Sequence, residues 1–246
     1  SLLASGRKLF EDGEAEDLRS ELRWLSGTLG PARDPRVVQA RLRELLAAEA
    51  DELVLGQAAA RIDEELDAAA AAGFEGALAA LDSERYTELL GRFEAWLSAG
   101  QLSRKASRPP RKTIRKFVAR DEKRLRRAID RLPAAEDRTG ERDEGLHEVR
   151  KAAKRLRYSA ELAESLGGGA GAGKARRTAK AARKIQTSLG QHQDSVVARS
   201  LLADLGGRSL RSGENGFTYG RLHAKEEQLA GSAEADFVKV WRKFSR

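Results

Sequence analysis

The sequence predicts an all-α fold made of two helical-bundle halves related by an internal repeat. Three observations carry that expectation. Ala, Leu, Glu, Arg and Lys dominate the 246 residues, and β-branched residues rarely cluster, which favours helix over strand. Breakers recur along the chain: "GPARDP" at 30–35, "RPPR" at 108–111, "LP" at 132–133, "GGGAGAG" at 167–173 and "SGENG" at 212–216. A motif also recurs: "LGPARDPRVVQARL" begins at Leu29 and "LGQHQDSVVARSLL" at Leu189. Each reads Leu-Gly, three residues, Asp, then Val-Val. An offset near 160 residues is too long for a solenoid period. It reads instead as a duplicated half.

Taken in order, the helices expected in the first half are 1–12, 14–29, 35–49, 51–72, 74–80 and 84–98. The acids of "EDGEAEDLRSE" sit where a helix start favours them, near the positive end of the dipole. Asp34 is placed as the N-cap of the helix at 35, and Asp194 holds the equivalent place in the second half. The Pro-Pro pair at 109–110 is the strongest boundary, giving halves of 1–107 and 108–246. Second-half helices are expected at 111–132, 140–166, 174–189, 193–206 and 215–244.

Composition narrows the function. No run of about 18 apolar residues occurs, so no transmembrane helix is expected. Cysteine is absent, which excludes disulfides and thiolate metal sites and fits a cytoplasmic protein. The chain opens without an initiator methionine, so further sequence is expected upstream.

Net charge is +8, but it is segregated. Residues 1–100 carry 11 Lys/Arg against 20 Asp/Glu, whereas residues 101–184 carry 26 against 11. Such a block suggests an electrostatic footprint for a polyanion. The bland alternative is a helical protein that is merely Arg-rich.

The densest cationic stretch is "LHEVRKAAKRLRYSAEL" at 146–162. At about 100° per residue, His147, Arg150, Lys151, Lys154, Arg157 and Tyr158 share one side of a helix. Val149, Ala152, Ala153, Leu156 and Ala160 take the other. The helix is split lengthwise into a stripe that can pack and a stripe that cannot. Residues 174–189 repeat the device: Arg176, Arg177, Lys180, Arg183 and Lys184 fall on one arc, and Ala175, Ala179, Ala182, Ile185 and Leu189 on the other. If the two helices pack antiparallel, their cationic stripes would face a shared groove.

These residues resemble the signature of the CHAD domain, the conserved-histidine α-helical domain, in its H-x-x-R-K-x-x-K-x-L-R-Y form. "LRSELRWLSGTLGPARDPRVV" and "IQTSLGQHQDSVVAR" are similar to the family's two turn regions, and "GFTYGRLHAKEEQLAGSAEADFVKVWRKFSR" to its closing helices. The resemblance covers nearly the whole chain. It implies an all-α fold of two pseudo-symmetric bundles, binding of inorganic polyphosphate on basic residues, and association with polyphosphate granules. It also implies phosphate-facing roles for His147, Arg150, Lys151, Lys154, Arg157 and Tyr158, with Lys180, Lys184 and Arg33 as further candidates. One departure stands out. The family's first half normally opens with its own H-x-x-R-x-x-x-R-R-L-R helix, and this sequence begins just after that point. The first half's motif helix is therefore expected to be truncated.

Other chemistry finds less support. "GGGAGAGKA" spells a phosphate loop superficially, but Ala175 stands where a hydroxyl should hold Mg²⁺, and no strand precedes it. His147, His192 and His223 form no i, i+3 or i, i+4 pair, so no metal site is expected. His192 falls at the turn after Gly190, where a capping or turn role and ligand contact stand equal, and His223 reads as structural. No carboxylate cluster suggests metal-dependent hydrolysis, so no catalytic residues, no cofactor and no enzymatic activity are expected. The run from Ser103 to Leu132 reads equally as a further basic segment of the footprint and as a linker entering a solvated helix. Two rivals to polyphosphate binding remain: a nucleic-acid-associated basic protein, since counterion release drives that binding equally well, and an accessory module of a larger phosphohydrolase.

Overall fold

A computed structural model describes residues 2–10, 13–99, 102–134, 140–166 and 170–245. The described chain is all-α. Its helices are α1 (Leu2–Gly6), α2 (Glu14–Ala47), α3 (Ala58–Leu81), α4 (Glu84–Ala99), α5 (Pro110–Asp130), α6 (Gly140–Ser165), α7 (Ala170–Arg211) and α8 (Phe217–Phe244), with short 3-10 turns at Arg7–Leu9 and Asp51–Leu53. Among the described residues the sole β-type contact is one antiparallel bridge between Phe10 and Leu102.

Some boundaries follow local chemistry closely. Pro110 occupies the first turn of α5, where its missing N–H costs nothing. Ser83 caps α4, its hydroxyl accepting from the Tyr86 amide at 3.3 Å. Between α7 and α8, Gly213 takes φ +73°, a left-handed conformation that glycine adopts without strain. Asn215 then accepts from the Phe217 amide at 2.8 Å.

Other expected breaks do not occur. α2 runs unbroken through Pro31 and Pro35, so Asp34 lies inside a helix and caps nothing. α7 is likewise one 42-residue helix through Gly190 and Asp194, and residues 170–173 of the glycine run belong to its first turn. Residues 167–169 lie outside the described part. α3 continues through Gly73.

Packing explains the first of these corrections. Pro35 has no N–H to offer the Pro31 carbonyl, and that carbonyl lies against Gly73 of α3. A Cβ on Gly73 would sit within 2.6 Å of Ala32 N and closer still to the Pro31 carbonyl. The interrupted hydrogen-bond ladder is therefore held by a close helix–helix approach that local sequence rules do not weigh.

Contacts divide the chain into two compact units. The first takes in α1, α5, α6, the α7 residues up to Gln193 and the α8 residues from Ala230. The second takes in α2 from Leu18, α3, α4, the remainder of α7 and α8 up to Leu229. The halves drawn at 1–107 and 108–246 are consecutive in sequence, whereas these units interleave.

In the first unit the core joins Leu125 of α5 to Leu146, Val149, Ala153 and Leu156 of α6, then to Ala182, Ile185 and Leu189 of α7 and Phe237 of α8. The three- and four-residue spacing on α6 makes one apolar stripe. Its alanines let α7 approach closely. A buried carboxylate, Asp121, accepts from Ser5 Oγ at 2.7 Å and from Arg124 at 2.8 Å, which ties α1 to α5.

In the second unit Val38, Leu42, Ile62, Leu66, Leu202 and Leu222 form the core. Beside it Glu226 is fully buried and takes a two-pronged bond from Arg41, both contacts at 2.6 Å. Thr218 pins the Asp51–Leu53 turn, accepting from the Leu55 amide at 2.8 Å.

Candidate functional site

The cationic stripe of α6 survives folding as a stripe. Val149, Ala152, Ala153, Leu156 and Ala160 are buried. Lys151 and Lys154 are exposed, while His147, Arg150, Arg157 and Tyr158 are half-buried at the stripe's edges. On α7, Ala175, Ala179, Ala182, Ile185 and Leu189 are buried, and Arg176, Arg177, Lys180, Arg183 and Lys184 are exposed. The helical wheel predicts this division on both helices.

Side-chain contacts set the register of α6 against α7. His147 Nδ1 lies 3.0 Å from Gln193 Oε1. Arg150 Nε lies 3.6 Å from where a Cβ on Gly190 would stand. Arg183 reaches Glu161 at 2.8 Å, and Arg176 reaches Glu164 at 3.9 Å. Numbers rise on one helix as they fall on the other, so the helices run antiparallel. The α6 row 147, 150, 154, 157, 161, 164 keeps the three-to-four spacing of one helix edge. The α7 row 176, 180, 183, 190, 193 does the same. Lys154 belongs to the first row and Lys180 to the second.

Neutralisation along these rows is uneven. Glu161 is shared between Arg183 at 2.8 Å and Arg157 at 3.6 Å. Lys151 turns aside to Glu148 at 2.6 Å. Lys154, Lys180 and Lys184 form no ion pair among the described residues. Two guanidinium nitrogens, Arg150 Nε and Arg157 Nε, are buried without a hydrogen-bond partner, as is Gln186 Oε1 on α7. Leaving such groups unpaired is costly. The Arg157 guanidinium also lies over the Tyr158 ring at 4.5 Å, which fixes both side chains.

The histidine geometry sets its chemistry. Gln193 Oε1 can only accept, so Nδ1 of His147 carries the proton it donates. Nε2 is left over. In the neutral ring it is an acceptor, which repels an anion; in the imidazolium it is a donor.

The other residues singled out by the sequence lie off these rows. Arg33 is exposed on α2 and belongs to the second unit. His192 is buried inside α7 rather than at a turn, with Nε2 3.4 Å from Asp143 of α6. His223 is half-buried in α8. Among the described residues no group of three or more His, Asp or Glu side chains is arranged to hold a metal ion, and no helix is long and apolar enough to cross a membrane. Sequence reasoning missed Gln193 and Gly190 as partners of the stripe, since both stand some forty residues away along the chain.

Comparison with known proteins bears on the family and the fold. The family model described as the CHAD domain matches residues 1–203. Two curated proteins of Mycobacterium tuberculosis, the uncharacterized protein MT2285 of strain CDC 1551 / Oshkosh and the uncharacterized protein Rv2226 of strain ATCC 25618 / H37Rv, are each 34% identical over 248 residues. The alignments take in 100% of this chain and 46% of each relative, so the chain spans about half the length of the curated relatives it matches. Among solved structures, PptA from Streptomyces chartreusis superposes with a TM-score of 0.75 at 22% identity, covering 98% of this chain and 84% of that one. That likeness speaks for the fold.

Proposed function

The chain belongs to the CHAD domain family, and from that premise we propose that it binds inorganic polyphosphate along the paired edges of α6 and α7. The observation that carries the reading is the antiparallel register. It sets the row of His147, Arg150, Lys154 and Arg157 next to the row of Lys180 and Arg183, with Lys184, Lys151 and Tyr158 flanking. Two buried guanidinium nitrogens without a hydrogen-bond partner, Arg150 Nε and Arg157 Nε, lie in the first row. A phosphate oxygen would satisfy them with charge-assisted bonds. The unpaired lysines supply attraction that needs no fixed geometry, which suits a thin, flexible chain of phosphates. Arg33 is kept as a separate candidate in the second unit.

The role is one of binding rather than catalysis. Metal-assisted phosphohydrolysis requires carboxylates gathered to hold the ion, and the acids of these rows are engaged with arginine and lysine. Targeting to polyphosphate granules in the cytoplasm follows as part of the same proposal. Nucleic acid is the rival ligand, since it too would be held by counterion release. It would lack stacking platforms here, with Tyr158 the lone aromatic on the rows and its face covered by Arg157.

A competition assay tests the reading. Labelled long-chain polyphosphate bound to the protein is challenged with DNA and RNA at equal phosphate concentration. Retention of the label supports polyphosphate. Comparable displacement by either nucleic acid overturns it.

A further inference from the structure

A second cationic feature lies in the first unit, on elements the α6–α7 rows do not use. The turn after α1 and the start of α5 enclose a cavity of about 470 Å³, within the range of about 300–1,000 Å³ usual for small-ligand sites. Six cations line it: Lys8, Lys105, Arg108, Lys112, Lys116 and Arg120. Among the described residues no carboxylate lines it. Nor do Lys8, Lys105, Arg108, Lys112 or Lys116 form an ion pair among the described residues.

This crowding is unusual for the molecule. In the second unit arginines are repeatedly answered by acids, as in Arg85–Glu21, Arg43–Asp63 and Arg208–Glu65. The cavity is also built rather than incidental. Ser103 fixes its rim, its hydroxyl donating to the Lys8 carbonyl at 2.8 Å and its amide to the Leu9 carbonyl at 2.9 Å. Arg120 donates to the Ser5 carbonyl and lies over the Phe117 ring at 5.2 Å, while its Nε stays buried and unpartnered. Thr113 adds a hydroxyl to the wall. Like charges gathered at one concave site, with one guanidinium anchored and still short of an acceptor, lower their mutual repulsion when a compact anion enters.

We propose that this cavity is a separate binding site for a compact oligophosphate, a di- or triphosphate group. The required chemistry is several negative charges in a small volume, supplied by free tripolyphosphate or by a nucleoside triphosphate. The leucine, proline and phenylalanine side chains of Leu9, Pro109 and Phe117 complete the wall.

The test is calorimetric titration of the full chain with inorganic tripolyphosphate, and in parallel with ATP. Three double variants are compared: Lys112→Gln with Lys116→Gln, Lys105→Gln with Arg108→Gln, and Lys154→Gln with Lys180→Gln on the α6–α7 rows. All six side chains are exposed, and circular dichroism checks the fold. Each cavity variant is expected to weaken tripolyphosphate by about tenfold or more, the scale of one or two lost charge-assisted bonds. The α6–α7 variant should weaken it less than either cavity variant. Equal binding of ATP identifies the triphosphate group as the ligand, and preference for tripolyphosphate identifies the free anion. Absence of saturable binding by the parent protein overturns the proposal, as does a loss confined to the α6–α7 variant. In the second case polyphosphate binding along α6 and α7 stands and only the cavity falls.

Discussion

Replacing Lys154 and Lys180 together by alanine should weaken long-chain polyphosphate far more than replacing Arg242 and Lys243 together. Both changes remove two formal charges from exposed positions of the first unit, so long-range attraction falls equally. They differ in placement: Lys154 and Lys180 stand on the facing edges of α6 and α7, whereas Arg242 and Lys243 close α8. The choice of lysines matters. Lys151 is held by Glu148 at 2.6 Å, and Arg157 and Arg183 share Glu161. Removing any of these would release an acid and confuse the reading.

Lys154 and Lys180 free no partner when removed. Exposed contacts of this kind are worth about 1 kcal/mol each, so about 2 kcal/mol is at stake, roughly 30-fold in Kd. The logarithmic salt dependence should also flatten by about 1.4, since each phosphate contact on a single strand contributes about 0.7. Fluorescence anisotropy with labelled polyphosphate across a salt series measures both quantities. Alanine raises helix propensity at these sites, so a lost helix would not explain weaker binding. Equal losses in the two variants, with equal salt slopes, would refute the facing-edge reading and leave a protein that attracts anions by net charge alone.

Three further outcomes follow from the structure. Gly73→Ala should destabilise by about 3 kcal/mol, because its Cβ overlaps backbone that cannot withdraw; Gly76→Ala, with open space around it, should stabilise by about 0.5–1 kcal/mol, and similar melting temperatures for the two would reject the close approach of α2 and α3. Arg41→Ala should cost about 3–5 kcal/mol by stranding the buried Glu226 carboxylate, and adding Glu226→Leu should restore most of it; chemical denaturation decides, and no recovery in the double variant would show that the cost lies elsewhere. His147→Ala should weaken long-chain polyphosphate, because the ring is held by Gln193 through Nδ1 and leaves Nε2 for a phosphate oxygen. A variant that keeps the parent's affinity in the anisotropy assay would remove the histidine from that role.

The boundaries of α5 and α6 were readable because local chemistry decides them: a proline at the first turn of one, the Leu-Pro break before the other. The burial of Val149, Leu156, Ala182 and Ile185 was readable from periodicity alone. The unbroken courses of α2 and α7 were not. Pro31, Pro35 and Gly190 are breakers by local rules, and at the prolines the tolerance lies in what packs against them, Gly73 against the Pro31 carbonyl. The same holds at the site. The cationic arc of α6 was legible, but its edge residues are half-buried against α7, and the partner that sets the His147 tautomer lies on that helix. The two readings of the basic run from Ser103 stay open in the sequence, which does not reveal that Lys8 and Leu9 close one side of a cavity over it.

Charge segregation in the sequence then acquires a structural meaning that a net value of +8 conceals. The acid-rich first 100 residues answer arginines within their own unit, as Asp63 answers Arg43, Glu65 answers Arg208 and Glu49 answers both Arg221 and Lys225. Hydrogen bonds to those cations hold the Glu49 carboxyl below the usual carboxylate range. These acids consolidate packing and leave little charge for a ligand. In residues 101–184 the arithmetic runs the other way, with 26 Lys/Arg against 11 Asp/Glu. Several of those few acids are spent on the arginines of the rows and on Lys151, so Lys154, Lys180 and Lys184, together with Lys8, Lys105, Arg108, Lys112 and Lys116, form no ion pair among the described residues. Repulsion among such groups opposes folding and is relieved only by an anion from outside. Binding and stability should therefore be linked: a polyphosphate that occupies these cations must raise the unfolding temperature of the parent chain, and must raise it less once Lys154 and Lys180 are gone.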